Sequence, residues 1–137
     1  MKRVSFLVML LIMIMAVTAV MAGCGSKETG PTNLEEYVAS DETLKNEIQS
    51  IADSNGLDIA VSGNTMTFTY KYDQEFDEEM KATAGPLIEQ ALADYAPTFT
   101  GLAKDLEEQT KLSGIKIKIQ YMDAKDSELY STEYAAE

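Results

Sequence analysis

The 137-residue chain contains no histidine, no tryptophan and a single cysteine, Cys24. Without histidine there is no imidazole base, no Ser-His-Asp relay and no His-ligated metal. One cysteine cannot close an internal disulfide or build a cysteine-rich zinc site. No G-x-S-x-G occurs, and no glycine-rich phosphate loop follows a strand pattern; the glycines fall where helices end and turns begin. Positive charge is also scarce, with 11 Lys and Arg against 23 Asp and Glu. That balance excludes nucleic acid as a natural partner, because such binding rests on neutralising phosphates. Carboxylate chemistry remains, since Asp and Glu can serve as acid, base or nucleophile once their environments separate their pKa values. Nothing singles out two acids among the 23. No catalytic residue and no cofactor is assigned, and the chain reads as a non-enzymatic one.

What is present begins at the N-terminus. Lys2 and Arg3 precede an apolar run from Val4 to Ala22, broken only by Ser5 and Thr18. A charged start, an apolar middle and small residues at the end describe a secretory signal. The run is also long enough to cross a membrane, so an uncleaved anchor is the alternative. Its end decides: Val20-Met21-Ala22-Gly23-Cys24 resembles the bacterial lipobox, with Met21 in place of the usual Leu, and no basic stop-transfer cluster follows. The resemblance implies a diacylglyceryl group on Cys24, cleavage before it, and a position on the extracytoplasmic face of the cell membrane. Two acyl chains anchor stably where one is marginal. Residues 1–23 are then signal peptide and 24–33 the lipidated cysteine and a polar linker. Residues 34–137 form one domain, and the mature charge is 9 − 23 = −14.

The domain reads as α+β. Asn33 and Glu36 sit at capping-box spacing ahead of a short helix to about Ala39. Ser40 and Asp41 cap a second helix carrying Leu44, Ile48, Ile51 and Ala52 at helical spacing, stopped by Asn55-Gly56. Leu57–Ser62 and Thr65–Tyr72 alternate apolar and polar residues around Gly63-Asn64, a hairpin signal. From Asp77 to Lys111 apolar residues step by three or four from Met80 through Leu87 to Leu106, across Pro86 and Pro97. That pattern predicts one kinked helix, or two with a joint near Ala96-Pro97. Ile115–Met122 alternates again, Asp123–Asp126 is a turn, and Ser127–Tyr134 is a weaker last strand. Aligning Gly56 with Gly114 pairs Leu57, Ile59 and Val61 with Ile115, Ile117 and Ile119, a faint repeat of helix, strand, strand. The expectation is a two-layer α-β-β-α-β-β domain with a four-stranded antiparallel sheet and helices on one face.

Three surfaces are candidates for function. The polar strand face carries Thr65, Thr67, Thr69, Lys71, Lys116 and Lys118, which could meet an acidic glycan or a protein; an ordinary solvated face gives the same pattern. Asp73, Glu75 and Asp77 alternate before the long helix as weak calcium candidates. The run has Glu78 where a calcium loop needs Gly, and Asp77, Glu78 and Glu79 suit a helix N-terminus electrostatically. Tyr70, Tyr72, Tyr121, Tyr130 and Tyr134 cluster by strand position, closing the core or lining a pocket between sheet and kinked helix.

The segments LEEYVASDETLKNEIQ, GLDIAVSGNTMTFTYKY and SGIKIKIQY resemble a family of small Gram-positive lipoproteins grouped as a domain of unknown function. Pro86 and Pro97 interrupt the chain where the helix of that family runs on. The resemblance implies the address and the fold, and transfers no activity and no site residue. The resulting expectation is a lipid-anchored binding module of the cell envelope, facing an unidentified envelope protein or glycan. A carboxylate hydrolase of cell-wall material, or an acidic calcium-responsive domain, stands as the alternative. Replacing Cys24→Ser is expected to abolish acylation and signal cleavage. Labelled palmitate and fractionation check this: processed, acylated protein in the membrane fraction of the variant would contradict the anchor.

Overall fold

The computed structural model describes residues 30–136, so the signal segment, Cys24 and most of the linker lie outside the described residues. Eight elements follow: α1 (Leu34–Ala39), α2 (Glu42–Asn55), β1 (Asp58–Ser62), β2 (Thr65–Lys71), α3 (Glu78–Ala93), α4 (Ala96–Thr110), β3 (Lys116–Met122) and β4 (Glu128–Ala135). Among the described residues, no helix is long and apolar enough to cross a membrane.

The local signals act as their chemistry dictates. Asn33 caps α1 by accepting the Glu36 N–H. The Glu36 carboxylate reaches the N–H and hydroxyl of Thr32, which hold its pKa below the usual value. Asp41 caps α2 through the N–H groups of Thr43 and Leu44, and Gly56 ends that helix at φ 62°, a left-handed geometry that suits glycine. Gly63 at φ 57° opens the β1–β2 turn.

The long helical stretch is two helices. Pro86 is accommodated inside α3, while the break falls at Asp94-Tyr95, with Pro97 in the first turn of α4. α3 lies close on β4 at Gly85, where a Cβ would stand in ordinary contact with the Leu129 carbonyl oxygen at 3.4 Å. Leu87 and Met80 fit the apolar period yet are exposed, at 60% and 40%. The reason is that α3 rests on β4 through one stripe, Ala84, Ile88 and Leu92, which packs against the core.

The sheet order is β1-β2-β3-β4. Both hairpins are antiparallel, but the central pair β2–β3 is parallel, from Thr65 opposite Lys116 to Lys71 opposite Met122. The sheet is therefore mixed, which corrects the antiparallel expectation. The cause lies in the connection. A side-by-side helical pair would return the chain to the end where it left β2. Here α3 and α4 follow one another and both lie along β4, so the chain arrives at the start of β2 and runs beside it. The faint repeat misleads here too. β1 is an edge strand and β3 a central one, and they run in opposite directions.

One core joins the layers. Met66, Phe68, Ile117 and Ile119 from the central strands meet Leu34, Ile51, Ile88, Leu92, Phe99, Leu102 and Leu106 from the helices. A shift in register between Tyr121 and Met122 lets Leu129 and Tyr130 both pack against this core.

Two polar residues clamp the ends of β2–β3. At the first end, Asn64 Oδ1 accepts the Leu34 N–H at 2.9 Å, its Nδ2 donates to the Ser113 carbonyl at 3.2 Å, and its own carbonyl accepts the Lys116 N–H at 2.9 Å. Glu35 adds two bonds to the neighbouring Gly63, one through its N–H and one through its carboxylate. At the other end sits Asp123, the one buried charged residue among the described residues. Its carboxylate accepts N–H groups from Ser127, Lys125 and Phe76 at 2.9, 2.9 and 3.3 Å. These bonds, the Ser127 one foremost, hold its pKa below the ordinary aspartate value against the opposing effect of burial.

Two predictions test the clamps. Asn64→Ala leaves a partly buried Leu34 N–H without its acceptor and should cost about 1–3 kcal/mol. Thr67→Ala on the open face should stay within about 0.5 kcal/mol. Urea unfolding of the two variants distinguishes them. Asp123 has a depressed folded pKa, so its contribution is complete above the unfolded value and is lost as pH falls through the folded one. Asp123→Asn should lower the melting temperature by several degrees at neutral pH. The gap to the parent should narrow as pH falls below about 4, the ordinary range of an unfolded aspartate. A gap constant with pH would contradict this.

Candidate functional site

The strand face proposed from the sequence is assembled as a surface. Because β2 and β3 pair in register, Thr65 lies beside Lys116 and Thr67 beside Lys118, with Thr69 beside Gln120 in the next row. Thr69 and Gln120 are joined by a side-chain hydrogen bond. Lys71 extends the row on the same face. The helices pack on the other side, and these residues are half-buried or exposed.

This face carries less positive charge than its lysines suggest. Lys71 bonds Asp126 at 2.6 Å, which raises the lysine pKa, and Lys116 lies 3.5 Å from Glu133. Asp58 shares the Thr69 row, and Glu128 binds Gln120. The surface is therefore a nearly balanced, hydroxyl- and amide-rich plane, without the excess of positive charge that an acidic glycan would select.

The acidic run before α3 is spent on structure. Asp77 caps α3 through the Met80 N–H, and Glu75 pairs with Lys125 at 2.7 Å. Asp73 stays exposed. Among the described residues, no group of three acids is placed to hold a metal ion.

The tyrosines form a stack at one end of the sheet. Tyr70 and Tyr121 lie 5.0 Å apart and nearly parallel; Tyr72 joins them and meets Phe76. Tyr134 stacks on Phe99 at 5.1 Å, tying β4 to α4. Burial raises the pKa of Tyr70 and of Tyr134. These rings close the core.

The concave site lies elsewhere, at the seam where α1 and α2, packed over β1–β2, approach the C-terminal turn of α4. Its walls are Leu34, Val38, Leu44, Ile48, Ile51 and Leu106, and its floor is Ile59, Met66 and Phe68. Its enclosed volume is about 60 Å³, and the remainder opens to solvent. Tyr37, Asp41, Glu47, Gln109 and Thr110 supply the polar atoms. Burial and then the nearby Asp41 charge push the Tyr37 phenol up, so this part of the lining is electronegative.

Glu47 is the exceptional member. It sits within the apolar stripe of α2, three residues after Leu44 and four before Ile51. Its Oε2 is shielded from solvent and has no hydrogen-bond partner among the described residues. From the sequence, the pocket alternative lies between the sheet and the kinked helix, and Leu44, Ile48 and Ile51 mark only a helical period. The one signal available was an acid at i+3 in an otherwise apolar helical stripe.

Comparison with known proteins adds a family. The model of the family described as a domain of unknown function (DUF4854) matches residues 34–134, from the first residue of α1 to the end of the β4 core contacts. No curated protein and no solved structure matches the chain.

Proposed function

The chain belongs to this family, to which no task is attached, and from that premise we propose that it is an extracytoplasmic lipoprotein of the Gram-positive kind. Cys24 tethers it to the cell membrane, and the domain serves the envelope as a non-enzymatic binding module. The observation that carries the binding reading is the groove. It is concave and apolar, with a few polar groups in its lining, which is the usual composition of a ligand site.

Two further points support it. Of the two acids lining the groove, Asp41 already accepts two backbone N–H groups as the α2 cap. A two-carboxylate hydrolysis needs one acid to donate a proton and the other free to act as base or nucleophile at the substrate. The linker fits as well: ten residues from Cys24 to Asn33 reach at most about 35 Å. The groove, beside α1, would then work close to the bilayer. The open strand face, flat and balanced in charge, suits a protein neighbour better than an acidic glycan.

A photo-crosslinking side chain at Val38 in intact cells, followed by mass spectrometry of the isolated full chain, should yield one defined adduct. The same group at exposed Glu89 on α3 should not. Turnover of cell-wall material by the purified full chain, lost on Glu47→Gln, would overturn the non-enzymatic reading.

A further inference from the structure

We propose that the groove takes a small amphiphilic cation, an apolar body ending in an ammonium group, with Glu47 as its counter-ion. The proposal rests on the groove as a binding site and adds the chemical class of its occupant.

Charge is the first argument. Asp41 and Glu47 line the groove, and no lysine or arginine does. The ion pairs among the described residues engage Glu42, Asp126, Glu78, Glu133 and Glu75, and neither groove acid. Lys45, two residues from Glu47 in sequence, is turned to Glu42 at 2.9 Å.

Satisfaction is the second. A carboxylate oxygen withdrawn from water without a donor is costly, and natural proteins keep few of them. Glu47 Oε2 has no donor among the described residues, on a side chain that is half-buried at the groove. An ammonium brings both the opposite charge and the missing donors. A neutral donor would supply only the second, and a charge-assisted bond is about twice as strong as a neutral one. A bare divalent cation fits poorly, because calcium asks for six to eight oxygens and the surrounding walls are Val38, Ile48, Ile51 and Phe68.

Size is the third. The enclosed part of the groove, about 60 Å³, has room for one small apolar group, and the rest opens to solvent.

The test uses the full chain in lipid nanodiscs with ¹³C-methyl methionine, read at the Met66 methyl on the groove floor. The probes are 3-phenylpropylammonium and its neutral counterpart 3-phenylpropan-1-ol, alike in the apolar body. The amine should shift Met66 at a concentration at least about ten-fold lower than the alcohol, the advantage of a charge-assisted bond. Glu47→Gln should bring the two probes level while leaving the free Met66 resonance folded-like. Equal response to both probes in the parent chain would overturn the cation assignment and leave the groove reading standing. No shift from either probe up to its solubility limit would overturn both. A shift by an acetylated Leu-Leu-Lys peptide but not by the amine would replace the small molecule with a protein segment and overturn the proposal.

Discussion

The parallel pairing of β2 with β3 organises the rest of this domain, and two short side chains hold it at its ends. Asn64 binds α1, the segment before β3 and the first residue of β3 at once. Asp123 gathers the β3–β4 turn and the loop before α3 around one buried carboxylate. Between them Met66 and Phe68 lie directly opposite Ile117 and Ile119. Each member of these pairs is almost completely buried. Surface ion pairs such as Lys45–Glu42 and Lys81–Glu78 sit in water and contribute little by comparison.

The clamps also explain why a groove exists. α1 is hung from the β1–β2 turn by Asn64 and Glu35, and α2 follows it over β1. α4 belongs to the other half, resting on β3 and β4 with Phe99 stacked on Tyr134. The two helical sets are fixed to different strands, and their seam runs over Met66 and Phe68. Leu44, Ile48, Val38 and Ile59 stay half-buried there, where a fully closed core would have covered them. Glu47 at this seam departs from the local apolar pattern, and such departures in otherwise consistent sequences tend to mark functional positions.

Much of the local structure was legible. Asn33, Asp41 and Gly56 bound their helices because capping chemistry depends only on near neighbours. The β1–β2 hairpin followed from alternation around Gly63-Asn64, and the Thr and Lys face from the same period. The helix joint was foreseen near Ala96-Pro97 and lies at Asp94-Tyr95. Pro86, by contrast, does not end its helix, and Leu87 fits the apolar period while facing solvent. Whether a periodic position is covered depends on how many neighbours the helix has, which its own residues do not record.

The sequence by itself determined which segments are helix and strand, which strand face is apolar, where the chain turns, and the excess of negative charge. Each is a property of a few adjacent residues or of composition. Tertiary structure alone decided the direction of β3 beside β2, the partnering of Lys71 and Lys116 by Asp126 and Glu133, and the burial of Glu47 Oε2. A period of two is the same for parallel and antiparallel strands, so direction depends on where α3 and α4 deliver the chain. The charge of a face depends on acids brought in from other strands and turns. The setting of Glu47 depends on α4 being brought to line the same groove as α2, through residues some sixty positions apart.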